Sequence, residues 1–386
     1  MKLKQYKIYG ALIFILFINS IPIYSKNFSK VKILIASAQK ISLILKGKFK
    51  LLNGFTEQKI IENNNIHLIF LIKENKIKIE NYGIFSGTIY IKNLSNGIVS
   101  FNNYIYSGDF YITLLTNRLF LINEISVEEY LKGVLPNEIS PNWNIEAIKA
   151  QAVAARTFAY FYKLKNLNQL YHLNATILSQ VYTGKTGEKA IFNKAIQETQ
   201  DEVLVFNNRL IAAYFHSVCG GHTEDAEKVW GRKLPYLRGV PCNYCRNAKH
   251  YRWQAIFTDK EIISKLNKSG FNITHISRIV PGKISSSGRW VSVRIIGKPH
   301  SITVQGNMFR LILGAEKLRS TKFRISHYKD KWIVKGKGWG HGVGMCQWGA
   351  KGMADRGYKY YQILRYYFRG TKLVKISEKY LSNITQ

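Results

Sequence analysis

Residues 145–164 read IEAIKAQAVAARTFAYFYKL, and this stretch decides the fold class because it is the clearest helix signal in the chain. Alanine, the strongest helix former, recurs along it. The small side chains also let another backbone pack close to this face. We predict a helix from Ile145 to about Leu164 whose apolar face belongs to the core.

The segment before this helix predicts a second, shorter helix followed by a turn. Ser126-Val-Glu-Glu129 is typical of a capping box, and Gly133 followed by Pro136 is expected to stop the helix. Residues 137–141, NEISP, then form the predicted turn between the two helices. Glu138 lies in this turn with a proline on either side, so its carboxyl group is expected to be partly desolvated.

Residues 26–123 have a different pattern, with short alternating apolar runs such as IHLIFLI and RLFLI separated by Asn, Gly and Ser. A period of two, together with many Ile, Tyr, Phe and Thr residues, indicates half-buried strands, and the polar residues between them indicate hairpins. We therefore predict a β-rich N-terminal region.

Downstream of the long helix the predicted elements are mixed. We expect a helix around Ala190 to Thr199, a hairpin around Val203 to Tyr214 and a terminal helix of about Lys359 to Tyr367. This order predicts an α+β fold that combines a β-rich N-terminal portion, a helical core and a C-terminal loop region rich in Gly and Trp.

The charge of the chain restricts its partners only weakly. It has 386 residues, with 57 Lys+Arg against 23 Asp+Glu and a formal net charge of +34. Such a charge favours a polyanion or an anionic surface. The positive residues are scattered singly and form no basic run or recognition helix, so we do not predict a nucleic-acid partner.

The first residues predict the compartment. Lys2, Lys4 and Lys7 precede an uncharged run from Ile8 to Tyr24. This is the order of a signal sequence, and the 17 uncharged residues fall short of the roughly 20 that span a bilayer. Residues 1–25 are predicted to be either a cleaved signal peptide or a retained membrane anchor. In both cases the protein is exported to the periplasm or cell envelope.

Residues 335–350, KGKGWGHGVGMCQWGA, predict a sugar-binding loop. The repeated glycines let backbone approach a ligand closely, and Trp339 and Trp348 can stack on sugar faces. His341 and Gln347 can donate or accept hydrogen bonds. The run lacks the Gly-Lys-Ser/Thr ending of a phosphate-binding loop. A purely structural tight β-arch is the alternative interpretation.

The cysteines form a candidate metal site. His216-x-x-Cys219-Gly-Gly-His222 precedes Cys242-x-x-Cys245, a spacing that suits a closed structural zinc site with three thiolates and one of the two histidines. In an exported protein, a disulfide between Cys219 and either later cysteine is equally natural. Both interpretations stay open, and we predict no cofactor that the activity requires.

Two long stretches resemble the SpoIID/LytB family of bacterial wall proteins. They are VEEYLKGVLPNEISPNWNIEAIKAQAVAARTFAYF (residues 127–161) and KGWGHGVGMCQWGAKGMA (residues 337–354). The intervening HSVCGGHTEDAEKVWG has the same family character, and the resemblance spans roughly Phe101 to Gly370. It implies either a lytic transglycosylase that acts on peptidoglycan glycan strands or a modifier of a cell-wall amidase.

The resemblance also implies a domain organisation and a metal. The predicted segments are residues 1–25 as signal or anchor, 26–123 as the β-rich region, 124–375 as the SpoIID-like catalytic domain and 376–386 as a tail. Some sporulation members are expected to bind zinc through a His and a Cys-His-Cys cluster just upstream of a Gln-Val-Tyr. Here His172 precedes Gln180-Val181-Tyr182, but the cysteines are missing.

The catalytic glutamate of the family falls on Glu138, and the chemistry suits this residue. A neutral carboxylic acid must protonate the glycosidic oxygen as the bond breaks, and desolvation raises a carboxyl pKa. One carboxylate suffices when the sugar's own 6-hydroxyl replaces water as the nucleophile. Helix capping is the bland alternative for Glu138. Arg156 and Tyr182 are candidate substrate contacts, with an ion pair and a core tyrosine as their alternatives.

Overall fold

The computed structural model describes residues 29–54, 56–176 and 179–377. The predicted signal peptide or anchor (residues 1–25) lies outside these residues, as does all of the predicted tail except residues 376 and 377. Within the described ranges, no helix combines the length and the apolar character that crossing a membrane requires.

Helices and strands both contribute, which confirms the α+β fold. The helices are α1 Val127–Glu138, α2 Ile145–Lys165, α3 Ala190–Glu198, α4 Ala226–Trp230, α5 Asp259–Lys268, α6 Gly306–Leu313, α7 Gln347–Ala354 and α8 Tyr360–Tyr367, with a short 3-10 helix at Pro235–Leu237. The strands are β1 Lys30–Ala38, β2 Lys40–Asn53, β3 Lys59–Lys73, β4 Lys76–Ile79, β5 Gly83–Phe85, β6 Ile89–Asn93, β7 Ile98–Phe101, β8 Tyr104–Tyr106, β9 Asp109–Leu115, β10 Arg118–Ser126, β11 Leu173–Asn174, β12 Glu202–Phe206, β13 Arg209–Leu210, β14 Phe215–His216, β15 Arg252–Thr258, β16 His275–Ile284, β17 Trp290–Lys298, β18 Ile302–Gln305, β19 Phe323–Tyr328, β20 Lys331–Lys337, β21 Met345–Cys346 and β22 Lys372–Lys375.

Strands β1 to β11 form one sheet, so the β-rich N-terminal portion is confirmed. Its main order is β11-β1-β10-β9-β6-β2-β3-β4-β5, with β7 beside β2 and β8 beside β7. The alternation of apolar and polar residues gives the sheet one buried face. Along β2, for example, Ile41, Leu43 and Leu45 are buried and the residues between them are exposed. The last long strand, β10, runs directly into α1, which places that helix against the sheet.

Helix α1 is longer than the sequence predicts. Ser126 caps it as expected, and its side chain accepts a hydrogen bond from the Glu129 amide at 3.3 Å. The predicted stop at Gly133 and Pro136 is wrong, because the helix continues to Glu138. A Cβ on Gly133 would lie 2.4 Å from the Gly184 carbonyl oxygen. The glycine therefore serves close packing, and Pro136 is tolerated in the last turn, where it removes one hydrogen bond.

Helix α2 confirms the predicted helix and explains its alanines. It lies between two hydrophobic cores. Ile148 and Ala155 pack into the core beneath the sheet, whereas Ala147 and Val153 pack into a second core built with the C-terminal helices. Small side chains on both faces let both layers come close, so α2 fixes α1 relative to the C-terminal segments.

The downstream predictions are confirmed in outline. Helix α3 covers the predicted segment, and β12 and β13 form the predicted hairpin, with Asn207 and Asn208 at φ 48° and 57° in its turn. Strands β15 to β20 with α5 and α6 enclose a third core of their own, which includes Phe257 and Phe309. Helix α6 forms one wall of the groove described next.

Candidate active site

Five parts of the chain enclose a groove of about 540 Å³. The largest contributions come from the end of α1, the C-terminal half of α2, the segment 214–217, the Gly/Trp loop (residues 335–350) and α6 with the loop that follows it, and Ser179, Val181 and Trp230 complete the lining. This volume lies within the range of small-ligand sites, roughly 300–1,000 Å³. The side chains that matter chemically are Glu138, Tyr214, His216, Trp230, Arg310, Trp339, His341 and Gln347.

Glu138 is the last residue of α1 and lies half-buried in the groove. Its Oε2 accepts a hydrogen bond from Gln347 Nε2 at 3.2 Å. Burial raises the pKa of the Glu138 carboxyl to about 7, although hydrogen bonds from Gln347 and from the Val181 backbone favour the ionised form. The carboxyl also ends a helix, where the helix dipole disfavours negative charge. Glu138 is therefore about half protonated at neutral pH.

The capping alternative for Glu138 is wrong. Helix α2 is capped by Asn144, whose side chain accepts a hydrogen bond from the Glu146 amide at 2.9 Å. The carboxyl group of Glu138 is thus not needed for the following helix and remains available in the groove.

Gln347 connects α7 to the end of α1 across the groove. It is buried as the first residue of α7, and its Nε2 also lies 3.5 Å from Gln151 Oε1 on α2. An amide held in this way can donate to the Glu138 carboxyl in either protonation state. The contact that the structure gives Gln347 is therefore specific, because its amide orients the Glu138 carboxyl group.

Trp339 and His341 both line the groove. His341 Nδ1 accepts a hydrogen bond from the Val343 amide at 3.1 Å. Burial, followed by the charges of Arg310 and Arg289, lowers the pKa of His341 to about 3, so the ring is neutral at pH 7. Trp339 is half-buried, which leaves part of its ring available to a sugar.

Three predicted substrate contacts, Trp348, Tyr182 and Arg156, do not line the groove. Trp348 does not line the groove and packs edge-on against Trp143, with ring centroids 5.4 Å apart. Tyr182 is a core residue whose hydroxyl donates to Asn123 Oδ1 at 2.9 Å. The prediction for Tyr182 is corrected because its ring belongs to the core, and that for Trp348 because its half-buried ring packs against Trp143 outside the groove lining.

Arg156 is also corrected. It is fully buried on the face of α2 that points toward α1 and α3. Its Nε and Nη2 donate to the two carboxylate oxygens of Glu128 at 2.7 and 2.8 Å, and it donates to the Ile196 and Glu202 carbonyl oxygens at 3.2 Å each. The ion-pair alternative is therefore the right one, and no part of the guanidinium can reach a ligand.

The sequence did not predict three residues of the groove, Arg310, Tyr214 and Trp230, because they come from elements that are far apart in the chain. Arg310 on α6 donates through Nε to the Arg319 carbonyl oxygen at 3.0 Å, and among the described hydrogen bonds none uses its Nη2. Burial lowers the pKa of Arg310 to about 10, so it stays charged at pH 7. Tyr214 and Trp230 flank His341, with ring centroids 6.1 and 5.1 Å away. Only the HSVCGGHTEDAEKVWG motif offered a signal, for Trp230.

The cysteines converge behind the groove. The sulfur atoms of Cys219, Cys242, Cys245 and Cys346 all lie within 4.8 Å of one another, and all four residues are buried. The shortest stated separation, Cys219 Sγ to Cys245 Sγ, is 3.4 Å. All four cysteines are free, so the structure contains none of the disulfides considered above.

The fourth member of this cluster is a cysteine and not a histidine, which corrects the predicted set. His216 instead lines the groove, and its Nδ1 lies 3.0 Å from the Val343 carbonyl oxygen. Burial holds the pKa of His216 well below its usual value, so the ring is neutral. His222 Nδ1 lies 2.6 Å from the Thr223 carbonyl oxygen. Cys346 was missed because more than a hundred residues separate it from the others.

The zinc site that the resemblance implied near His172 does not fit this chain. His172 is buried beside β1, where its Nδ1 accepts a hydrogen bond from the Lys32 amide at 3.0 Å. Burial, aided by Lys163 and Lys32, lowers its pKa to about 3. Among the described residues, the four-cysteine cluster is the only group of three or more His, Cys, Asp or Glu side chains with metal-binding geometry.

Two family models match parts of the chain that contribute residues to the groove. The model described as "Stage II sporulation protein" (SpoIID) matches residues 116–206, which contain Glu138 and α2. A model described as a domain of unknown function (DUF8618) matches residues 242–344, which contain the third core and most of the Gly/Trp loop.

Three bacterial relatives are similar over much of the chain. An uncharacterized protein of Brachyspira hyodysenteriae is 34% identical over 333 residues, which cover 86% of this chain and 88% of the relative. Stage II sporulation protein D of Bacillus subtilis is 33% identical over 270 residues, which cover 65% of this chain and 75% of the relative. The Amidase enhancer of the same organism is 29% identical, and the match spans only 40% of its length. The protein belongs to the SpoIID/LytB family, and a role at the bacterial cell wall fits that membership.

Proposed function

We propose that the protein is a peptidoglycan lytic transglycosylase. It cleaves the linkage between N-acetylmuramic acid and N-acetylglucosamine and leaves 1,6-anhydro-muramyl ends. The observation that carries this proposal is the Glu138 carboxyl group, which lies in a groove with a pKa of about 7 and accepts a hydrogen bond from Gln347. Such a group can act as both acid and base near neutral pH.

The reaction needs one proton carrier. Neutral Glu138 donates its proton to the glycosidic oxygen, the bond to the anomeric carbon breaks, and positive charge develops on the sugar ring. The 6-hydroxyl of the same muramyl residue then attacks the anomeric carbon and gives its proton to the Glu138 carboxylate. No water is consumed, and Glu138 returns to its starting state.

The remaining groove residues suit an amino sugar. The ring of Trp339 offers an apolar face for stacking, whereas the neutral rings of His216 and His341 offer uncharged hydrogen-bonding edges. Arg310 supplies the positive charge that the sequence analysis assigned to Arg156. Its guanidinium matches a carboxylate, such as the lactyl carboxylate that muramic acid exposes once its stem peptide has been removed.

The test is mass spectrometry of peptidoglycan digests, with intact and peptide-stripped strands treated side by side. We expect products that end in 1,6-anhydro-muramic acid, in at least one of the two substrates. Reducing ends would instead show hydrolysis with a second catalytic group. No soluble product from either substrate would contradict the enzyme assignment.

The pH dependence follows from the pKa of Glu138. The first step needs the neutral acid, and the pKa is raised from its ordinary value of 4.5 to about 7. We expect kcat/KM to be high below pH 7 and to fall about tenfold per pH unit above it, because the protonated fraction falls in that way. Initial rates on a soluble glycan fragment between pH 5 and 9 measure this limb. A rate that already falls tenfold per pH unit between pH 5 and 6 would show that the acid has an unshifted pKa, which contradicts the raised pKa of Glu138.

A second function is favoured by the similarity to the Amidase enhancer. In that case the groove binds glycan without cleaving it, and the protein stimulates a separate N-acetylmuramoyl-L-alanine amidase. Stimulation measured with the Glu138→Gln protein distinguishes the two functions. An unchanged stimulation together with no anhydro product from the wild type would favour the binding module.

The proposed substrate also assigns a compartment. Peptidoglycan lies outside the cytoplasmic membrane, and the Lys-rich start followed by the apolar run over residues 8–24 has the order of an export signal. We propose that the protein works in the periplasm or cell envelope, either free or anchored by its N-terminal segment, with glycan strands as its partner. Fractionation of cells with an antibody against the protein tests this.

A further inference from the structure

We propose that Cys219, Cys242, Cys245 and Cys346 bind one zinc ion in a closed, structural tetrathiolate centre behind the groove. The proposal concerns a site that the reaction of Glu138 does not use. Its fourth ligand comes from the Gly/Trp loop, so the ion would connect that loop to the two cysteine segments that precede the third core.

The sulfur positions suit zinc. Zinc binds thiolates at about 2.3 Å in a tetrahedron, which places the sulfurs roughly 3.8 Å apart. Here the four sulfurs lie within 4.8 Å of one another, and one pair is separated by 3.4 Å. Four sulfur ligands in a tetrahedron select zinc or iron over harder cations. With four protein ligands no position stays open for water, so the centre is structural and not catalytic.

The surroundings of the sulfurs are those of a ligand shell. The amides of Cys219 and Gly349 both point at Cys346 Sγ, at 3.2 and 3.3 Å. The Tyr367 hydroxyl lies 3.2 Å from Cys242 Sγ. Donors that converge on sulfur stabilise the electron-rich form that a metal requires, and such outer contacts also orient the ligands.

Two glycines on α7 make room for the cluster. A Cβ on Gly349 would lie 2.7 Å from Cys242 Sγ and 2.0 Å from the Tyr367 hydroxyl oxygen. A Cβ on Gly352, one turn later, would lie 2.1 Å from the Tyr244 carbonyl oxygen. The helix therefore presents a smooth face to the Cys242–Cys245 loop, and any larger residue would push the loop and its two sulfurs away from Cys346.

A buried positive charge supports the same assignment. Arg289 is 1% exposed, and the buried Glu224 carboxylate reaches it only through Ser287, whose Oγ donates to Glu224 at 2.8 Å and accepts from Arg289 at 3.1 Å. Its guanidinium donates to the Cys219 carbonyl oxygen and, at 2.8 Å, to that of His222. A buried cation needs negative charge nearby. Four thiolates around one Zn²⁺ carry a net charge of about −2, which would compensate Arg289.

The centre also explains how the Gly/Trp loop is held at the groove. Cys346 caps the N-terminus of α7, and the next residue is Gln347, the amide that contacts Glu138. Strand β21, which contains Cys346, pairs in parallel with β14, which contributes His216 to the groove. A metal at Cys346 would therefore fix the residues on both sides of the acid without touching the substrate.

The experiment starts with the wild-type protein, purified without chelators, and measures its metals by inductively coupled plasma mass spectrometry. We expect about one zinc per chain, retained on dialysis and released when a mercurial reagent titrates the thiols. Replacement by Co²⁺ should give the visible d–d bands and the thiolate-to-metal charge-transfer bands of a tetrahedral sulfur site. Both measurements read the site directly and do not depend on the proposed reaction.

Two variants separate the four-cysteine set from the set that sequence spacing suggests. Cys346→Ser should lower zinc retention after dialysis at least about tenfold, whereas His222→Gln should retain the wild-type amount. If Cys346→Ser fails to fold, the metal content and cobalt spectrum of the wild type still decide the matter. The proposal is overturned by four titratable thiols without metal, by iron in place of zinc, by a disulfide in the non-reduced peptide map, or by zinc loss from His222→Gln alone.

Discussion

Glu138→Gln is expected to slow the release of anhydro-muramyl products at least about 10³-fold while leaving glycan binding within about twofold of wild type. Glutamine keeps the shape of the side chain and can still accept the hydrogen bond from Gln347, but it carries no proton to donate. General acid–base catalysis contributes about 10²–10⁴-fold, and here one residue performs both roles. Product formation is measured by mass spectrometry and binding by co-sedimentation with purified sacculi.

The control for this experiment is Glu74→Gln. Glu74 has a side chain that is 70% exposed and lies in the turn between β3 and β4, outside the groove. The Glu74→Gln substitution makes the same chemical change and should leave both product formation and binding to sacculi unaltered. If Glu138→Gln keeps more than about a tenth of the wild-type rate, another group supplies the proton and the mechanism proposed here is wrong.

Arg156→Met is expected to lower the free energy of unfolding by about 3 kcal/mol without changing KM in the folded protein. The substitution removes a fully buried guanidinium that holds Glu128 and two backbone carbonyl groups. Breaking a buried pair from one side typically costs about 3–5 kcal/mol. The lower end applies because Glu128 is 24% exposed and can recover some hydration. Urea denaturation followed by circular dichroism measures the change.

Lys194→Met is the matched comparison for Arg156→Met. Lys194 pairs with Glu198 at 3.9 Å, but its side chain is 64% exposed, so removing it should change the unfolding free energy by less than about 1 kcal/mol. A normal unfolding curve for Arg156→Met combined with a raised KM would instead restore Arg156 as a substrate contact. The experiment therefore separates the structural assignment from the one that spacing suggested.

Local patterns predicted the local structure well. The alanine-rich helix, its approximate bounds and the N-cap at Ser126 are properties of neighbouring residues, and α2 and α1 show them. The role of Gly133 could not be predicted in this way, because a glycine that ends a helix and a glycine that admits a neighbouring backbone look alike in sequence. Only the position of Gly184 beside it decides between the two.

Contacts between distant segments were the part that spacing could not predict. Glu138 was identified through the resemblance, but its partner Gln347 is 209 residues away. Arg156 can bind a carboxylate, as predicted, but that carboxylate belongs to Glu128 of the same chain. Its side chain lies on the face of α2 that packs against α1 and does not line the groove. The cysteine cluster shows the same limit. Sequence spacing suggested a histidine as the fourth member, but the fold brings Cys346 from a distant segment to the other three cysteines.

The last consequence concerns synthesis of the chain. The first turn of α2 is tied to the far end of the protein, because Asn144 Nδ2 donates to the Ala354 carbonyl oxygen at 3.2 Å and Glu146 Oε2 accepts from the Tyr360 amide at 2.9 Å. A ribosome has produced the whole N-terminal sheet, α1 and α2 long before it reaches these partners. An interrupted product that stops before Gln347 would therefore contain Glu138 but lack the residues that complete the groove around it.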